Sequence, residues 1–388
     1  MDASPVVDFS PALRLGLLAL LLALLPLSWV WLRRPGADTR SRLATLTALT
    51  MFLTFDLIVF GAFTRLSDSG LGCPDWPGCY GAASPLGAHA EILSAQTTMP
   101  SGPVTFSKAW IEMIHRYLAM TVGVLILVIA AVGVSRRRVL PHSAAWPVAT
   151  LAWVIVQGLF GKYTVTLKLY PAIVTAHLLG GLLLLALLAV QHEGFRDRRL
   201  PVTPGVRRGM VFVLMLLVVQ IALGGWVSTN YAVLACNGFP SCNGEAWPAM
   251  DFASAFSVLR ELGHTASGEI LGFDALVAIH MAHRAFAVVA SAALAVLAVK
   301  LHRAPATRNF GSALLLLLVA QLASGLSNVV LDWPLAAALA HSAGAAGLVL
   351  LLVVLLVRSR SLASETAHAA HVPAQGPHLE SSPSWPRP

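Results

Sequence analysis

Charge is scarce in this 388-residue chain: 26 Lys+Arg and 18 Asp+Glu make up 11% of it, against roughly 25% in an ordinary soluble protein. With 57% apolar residues, that scarcity excludes a soluble globule and a disordered chain. Cysteine is nearly absent as well. The four present are Cys73, Cys79, Cys236 and Cys242, and neither pair has zinc-site spacing with a neighbouring histidine. No nucleotide, flavin or phosphate-binding motif occurs, which argues against a site for a soluble reductant. Basic residues are missing from whole segments: 66 to 107 and 231 to 275 hold Arg260 as their only Lys or Arg.

What is present is a series of apolar runs. A hydrocarbon core about 30 Å thick needs about 20 apolar residues per helix, and nine stretches qualify, near 12–32, 43–65, 108–134, 144–164, 171–191, 210–230, 276–299, 311–330 and 335–357. Alternate connections carry the basic residues, among them Arg33, Arg34, Arg40 and Arg42, Arg136 to Arg138, Arg196 to Arg208, Lys300 to Arg308, and Arg358 with Arg360. The other set is nearly bare, with Lys168 in a short turn. The positive-inside rule therefore places the basic turns and the C-terminus in the cytoplasm, and the N-terminus and both long loops outside. This distribution accounts for the net charge of +8 without a nucleic-acid partner. The first stretch follows Asp2 and Asp8, contains only Arg14 and is longer than a signal-peptide core, so it reads as a retained helix. From Ser361 the Pro, Ser and His content, with His368, His371 and His378, reads as a solvated, disordered tail.

The chain also repeats itself. GCPDWPGCYG, with Cys73 and Cys79, returns as ACNGFPSCNG, with Cys236 and Cys242. His115-Arg116 returns as His283-Arg284, and His177 as His341. Near-constant offsets between unlike motifs define two four-helix halves. The expected fold is an all-α polytopic membrane protein of two tandem bundles plus one extra N-terminal transmembrane helix. Its segments are 1–42 (extra helix and basic turn), 43–191, a basic linker at 192–209, 210–357, and a tail at 358–388. Four spans return the chain to its starting side, so the halves share one orientation about an axis along the membrane normal.

All four cysteines fall in the external loops, as an oxidising compartment favours. A C-x5-C bridge closes a small ring, contributing at most roughly 2 to 2.5 kcal/mol by chain-entropy reasoning. Structural disulfides and redox-active thiols both stay open. Within the spans, ionisable residues are costly and are candidates for function. His115, His177, His283 and His341 sit at matched depth in the repeat. Two imidazoles from facing helices hold a heme iron axially, so the pairs imply two heme sites. Arg116, Arg284 and Arg65 are candidate partners for heme propionates. At i−3 from the HR histidine the halves differ: Glu112 in the first, His280 in the second. Glu112 is a candidate for a proton-handling or cation-stabilising role, and Asp56 for an interhelical hydrogen bond.

The run GAFTRLSDSGLGCPDWPGC from Gly61, EMIHR from Glu112, TAH ending at His177, IHMAHR ending at Arg284 and LAHS around His341 together resemble the heme A synthase family over about 43–357. The resemblance implies an oxidoreductase of a bacterial inner membrane that converts a ring methyl of heme O to the formyl group of heme A, the cofactor of terminal oxidases, by successive hydroxylations. It implies that His115 and His177 ligate the substrate heme O in the N-terminal half, that His283 and His341 hold a resident heme b, and that Glu112 is the catalytic carboxylate. Candidate partners, besides heme O, heme A and membrane lipid, are a heme O synthase and terminal oxidase assembly factors; the electron acceptor is unassigned. Departures from the shortest members are the extra helix and the second cysteine pair. The competing classes are a quinol-linked b-type electron-transfer protein, which gives Glu112 no duty, a thiol oxidase, which gives no reason for four matched histidines, and a heme transporter.

Overall fold

The computed structural model describes residues 10–33, 35–138, 144–196 and 198–361. Among them, nine helices are long and apolar enough to cross a membrane, and the protein is an all-α, multi-pass membrane protein. In chain order the helices are α1 (Ser10–Leu32), α2 (Thr39–Leu66), a short α3 (His89–Thr98), α4 (Phe106–Ser135), α5 (Ala145–Thr166), α6 (Pro171–Gly194), α7 (Pro204–Thr229), a one-turn α8 (Phe252–Ala255), α9 (Phe273–Arg303), α10 (Arg308–Val330) and α11 (Leu335–Arg358). Most spans run a few residues past the apolar stretches, because polar caps rather than hydropathy end them. Asp38, Thr105 and Thr203 accept from the backbone N–H groups of Ser41, Lys108 and Val206, satisfying first-turn donors that have no intrahelical partner. Inside α2, the Thr50 and Thr54 hydroxyls donate to carbonyls one turn back, which lets polar residues lie within apolar surroundings.

The packing follows the repeat. In the first half α2 packs on α4 and α6, and α5 on α4 and α6; in the second, α7 packs on α9 and α11, and α10 on α9 and α11. The first and last helices of each half meet at the centre, where α2 lies on α11, α6 on α7, and α6 on α11. Each contact has its counterpart under exchange of the halves, as two equally oriented bundles about one axis require. Helix α1 stands outside this scheme against α4 and α2, with Leu17, Leu21 and Leu25 pointing away from the protein. Such outward leucines are at home against acyl chains.

At the end of the bundle that carries the basic turns, Arg358 makes a paired contact with Glu193 at 2.6 and 2.8 Å and Arg40 donates to Phe195 O at 2.7 Å. The sequence expectation of a plain linker at 192–209 and a tail from 358 needs correction. Strand β1 (Leu200–Val202) pairs in parallel with β2 (Ser359–Ser361). The cause is local: Arg207 reaches Ser359 O at 2.9 Å and Leu356 O at 3.0 Å, drawing the chain leaving α11 onto the segment that precedes α7. The rest of the expected tail, with His368, His371 and His378, lies outside the described residues, as do Asp2, Asp8 and Arg34. Asp56 also differs from expectation. It is exposed on α2, and no hydrogen bond to its side chain occurs among the described residues.

Candidate functional site

Each of the four histidines projects from its helix toward a glycine on the neighbouring helix. A Cβ placed on Gly61 of α2 would lie 3.0 Å from His115 Cε1 on α4, and one on Gly161 of α5 would lie 3.6 Å from His177 Cε1 on α6. In the second half Gly224 of α7 and Gly325 of α10 stand 3.0 Å, by the same measure, from His283 Cε1 on α9 and His341 Cε1 on α11. The glycines belong to the repeat as well, since Gly224 follows Gly61 by 163 residues and Gly325 follows Gly161 by 164. At Gly61, Gly224 and Gly325 a side chain would crowd the imidazole of the neighbouring helix, whereas at Gly161 a methyl would make ordinary contact. His115 and His283 sit about 14 to 15 Å along their helices from the end nearest the long loops, and His177 and His341 about 8 to 9 Å. Within each half the two imidazoles lie in electrostatic range of one another. Phe60 stacks on His115 with centroids 6.3 Å apart.

A second polar layer lies one turn deeper. Gln157 of α5 fills the space beside Gly180 of α6, and Gln321 of α10 the space beside Gly344 of α11. Among the described residues, Gln157 Nε2 and Gln321 Oε1 are buried without partners, as are His115 Nδ1 and His177 Nδ1. Unpartnered polar atoms inside an apolar bundle are costly and mark space shaped for something polar. Among the described residues there is no group of three or more His, Cys, Asp or Glu able to hold a bare metal ion. Two imidazoles alone are the donor set for a metal that brings its own equatorial ligands, as heme iron does. The residues fit that group.

The arginines bind the external loops and the seam between the halves. Arg116 donates from Nη1 to Asp75 O at 2.9 Å and to Gly78 O, and from Nη2 to Glu112. Arg284 donates to Cys236 O at 2.9 Å and to Gly238 O at 3.0 Å. In both halves, then, the arginine after the histidine clamps the loop closed by a disulfide, Cys73–Cys79 or Cys236–Cys242. Arg65 donates to Ser228 O at 2.6 Å and lies 4.0 Å over the Tyr231 ring. In this structure all three arginines expected as propionate partners bind the loops or the seam between halves.

Glu112 is buried, accepting from Cys73 N at 2.8 Å through Oε2 and from Arg116 through Oε1. A carboxylate whose two oxygens both receive hydrogen bonds, one of them from a guanidinium, is fixed in place. It ties the disulfide loop to the helix turn that precedes His115. His280, its counterpart, is also buried, with Nδ1 unpartnered.

A membrane-spanning bundle pair with one intramembrane histidine pair per half defines a class of intramembrane bis-imidazole proteins. Residues 44–354 match the COX15-CtaA family of cytochrome oxidase assembly proteins, and the chain belongs to that family. It is similar to the heme A synthase of Shewanella oneidensis, 38% identical over 316 residues that cover 80% of this chain and 95% of the relative. It is also similar to that of Shouchella clausii, 28% identical over 61% of this chain and 73% of the relative, and to that of Caulobacter sp. strain K31, 27% identical over 76% and 89%.

Proposed function

We propose that this protein is a heme A synthase, an oxidoreductase that converts a ring methyl of heme O to a formyl group in two hydroxylations. The observation that carries the reading is the repeated placement of an imidazole pair against glycines in both halves of a chain whose relatives bear that name. Overall, the methyl and one water become the formyl group with release of four protons and four electrons. In the C-terminal half, His283 and His341 would hold a heme b, which would supply one-electron transfer toward an acceptor not assigned here. In the N-terminal half, His115 and His177 orient heme O.

The role of Glu112 follows from its hydrogen bonds. Oriented by Arg116 and the Cys73 N–H, its carboxylate would stand beside the N-terminal site, where as the anion it would stabilise positive charge developing at the methyl carbon as water adds. Proton acceptance by Glu112 requires one of those hydrogen bonds to loosen, which makes its electrostatic part the first duty. The clamped loops above each pair limit access of bulk water.

The orientation follows from the basic turns: the disulfide loops lie outside a bacterial inner membrane and the β1–β2 ribbon in the cytoplasm. Reporter fusions at Asp38, Thr203 and Pro305 should read cytoplasmic and those at Gly87 and Ala255 external; a cytoplasmic signal at Ala255 would overturn this. A fusion at Val139 lies outside the described residues. The function itself is tested by extracting the hemes of the purified protein after co-expression with a heme O supply. Hydroxylated and formyl hemes support it, and their absence from protein loaded in both halves refutes it.

A further inference from the structure

The two histidine pairs differ at the nitrogen that faces away from a ligand. His341 Nδ1 lies 3.2 Å from Gln321 O and 3.1 Å from Ser324 Oγ. A carbonyl oxygen only accepts, so Nδ1 carries the proton and Nε2 keeps its lone pair, the tautomer a metal needs. Ser324 also donates to Gln321 O at 3.1 Å, a back-bond of the kind that opens a helix locally and turns its carbonyl toward a further donor. His283 Nδ1 lies 3.0 Å from the side-chain amide of Gln220, whose Nε2 donates to His283 O at 3.2 Å. Among the described residues Gln220 Oε1 is buried and unpartnered; rotation of the amide brings it to a protonated Nδ1, and the bond from Nε2 to His283 O is then given up. In the first half His115 Nδ1 and His177 Nδ1 are both buried without such a partner among the described residues. The repeat offsets show why, since Leu57 stands where Gln220 does and Phe160 where Ser324 does.

We propose that Ser324 and Gln220 are positioning residues that make the C-terminal histidine pair the retaining heme site, and that Leu57 and Phe160 in their places leave the N-terminal pair able to release its heme. This rests on the reading that heme O turns over in the first half while heme b stays in the second. A partner on the distal imidazole nitrogen fixes ring orientation and raises ligand basicity, and its loss commonly costs about 10- to 100-fold in metal affinity. A site without it would hold its iron through imidazoles that lack this support. A permanent electron carrier needs the first kind of site, and a substrate that must leave as product needs the second.

The test uses the purified full-length holoprotein with apomyoglobin as heme acceptor. Ser324→Ala and Gln220→Leu should each speed loss of the b-type heme by about tenfold and move its midpoint potential upward, because a less basic imidazole favours ferric iron less. Ser324→Thr, which keeps the hydroxyl, should restore both values. Conversely, Leu57→Gln with Phe160→Ser should slow release of heme from the N-terminal half, an arm that stands even if the C-terminal variants fail to fold. Parental release rates and potential in the Ser324→Ala/Gln220→Leu double variant would overturn the proposal. The reading beneath it is checked separately: His283→Ala should abolish the b-type heme and His115→Ala should spare it. The reverse pattern would overturn the assignment of the halves, whereas the expected pattern beside unaffected double-variant kinetics would overturn only the positioning role.

Discussion

Tyr231 donates its hydroxyl to Asp68 at 2.7 Å, and the two residues occupy equivalent positions in the two halves. Arg65 and Ser228, joined at 2.6 Å, are equivalent in the same way. Residues that meet their own counterparts lie near the axis relating the repeats, so this seam joins the halves at the end of the bundle that bears the disulfide loops. Burial alone would raise the Asp68 carboxyl, but hydrogen bonds from Tyr231 and Lys108 and the charges of Lys108 and Arg65 outweigh it and hold it below the usual carboxylate value.

A lowered folded value has a definite sign. The contribution of Asp68 is fully present above the ordinary aspartate value near 4 and is lost as pH falls through the lowered folded value. The side chain is 56% exposed, so solvent screening keeps the effect within about 1 kcal/mol. Thermal unfolding in detergent should show the parent's advantage over Asp68→Asn holding from neutral pH down to about 4 and shrinking below it. Equal curves for the two proteins across that window would remove Asp68 from the seam.

The glycines opposite the histidines give a graded expectation. A methyl at Gly224 or Gly325 would meet an imidazole at 3.0 Å, whereas one at Gly161 would meet its imidazole at an ordinary 3.6 Å. Gly224→Ala and Gly325→Ala should lower b-type heme content several-fold without loss of fold, since alanine favours the helix, and Gly161→Ala should leave heme binding near the parental level. Heme-to-protein ratios measured by pyridine hemochrome decide it; an equal loss in all three would mean that general helix packing, not imidazole space, is being disturbed.

Glu112→Gln separates an electrostatic role from a structural one. Glutamine keeps an acceptor for the Cys73 N–H but turns a donor toward Arg116, so the loop should loosen and Cys73–Cys79 should reduce faster. If the charge assists oxidation of the methyl, formyl product per heme-loaded molecule should fall by at least about tenfold, within the range of single electrostatic contributions. Near-normal product beside a loosened loop would leave Glu112 as an anchor for the loop and nothing more.

The spans were legible because a membrane imposes a length on every apolar run, and the repeat because cysteines, HR pairs and histidines recur at nearly one offset. The glycines opposite the histidines share that offset, yet a glycine in an apolar helix resembles any close-packing residue until its neighbour is known. Adjacency to His115 and His283 fixed the direction of Arg116 and Arg284 around the helix to within about 100°. It did not reveal that loop carbonyls would fill that direction. Three residues at 200–202 and three at 359–361 carry no strand pattern, and their pairing follows from Arg207. Asp68 and Tyr231 are unlike residue types, so no motif could announce their bond.

The central claim, oxidation of heme O by a protein with one substrate pair and one retained pair of histidines, is met most directly by product analysis. Purified protein from cells supplied with heme O should yield b-type heme together with heme O, hydroxylated heme and formyl heme on extraction. The His115→Ala variant should yield b-type heme without oxidised product. Extracts from parental protein containing only b-type heme and unaltered heme O, with both histidine pairs shown spectroscopically to be occupied, would contradict the account.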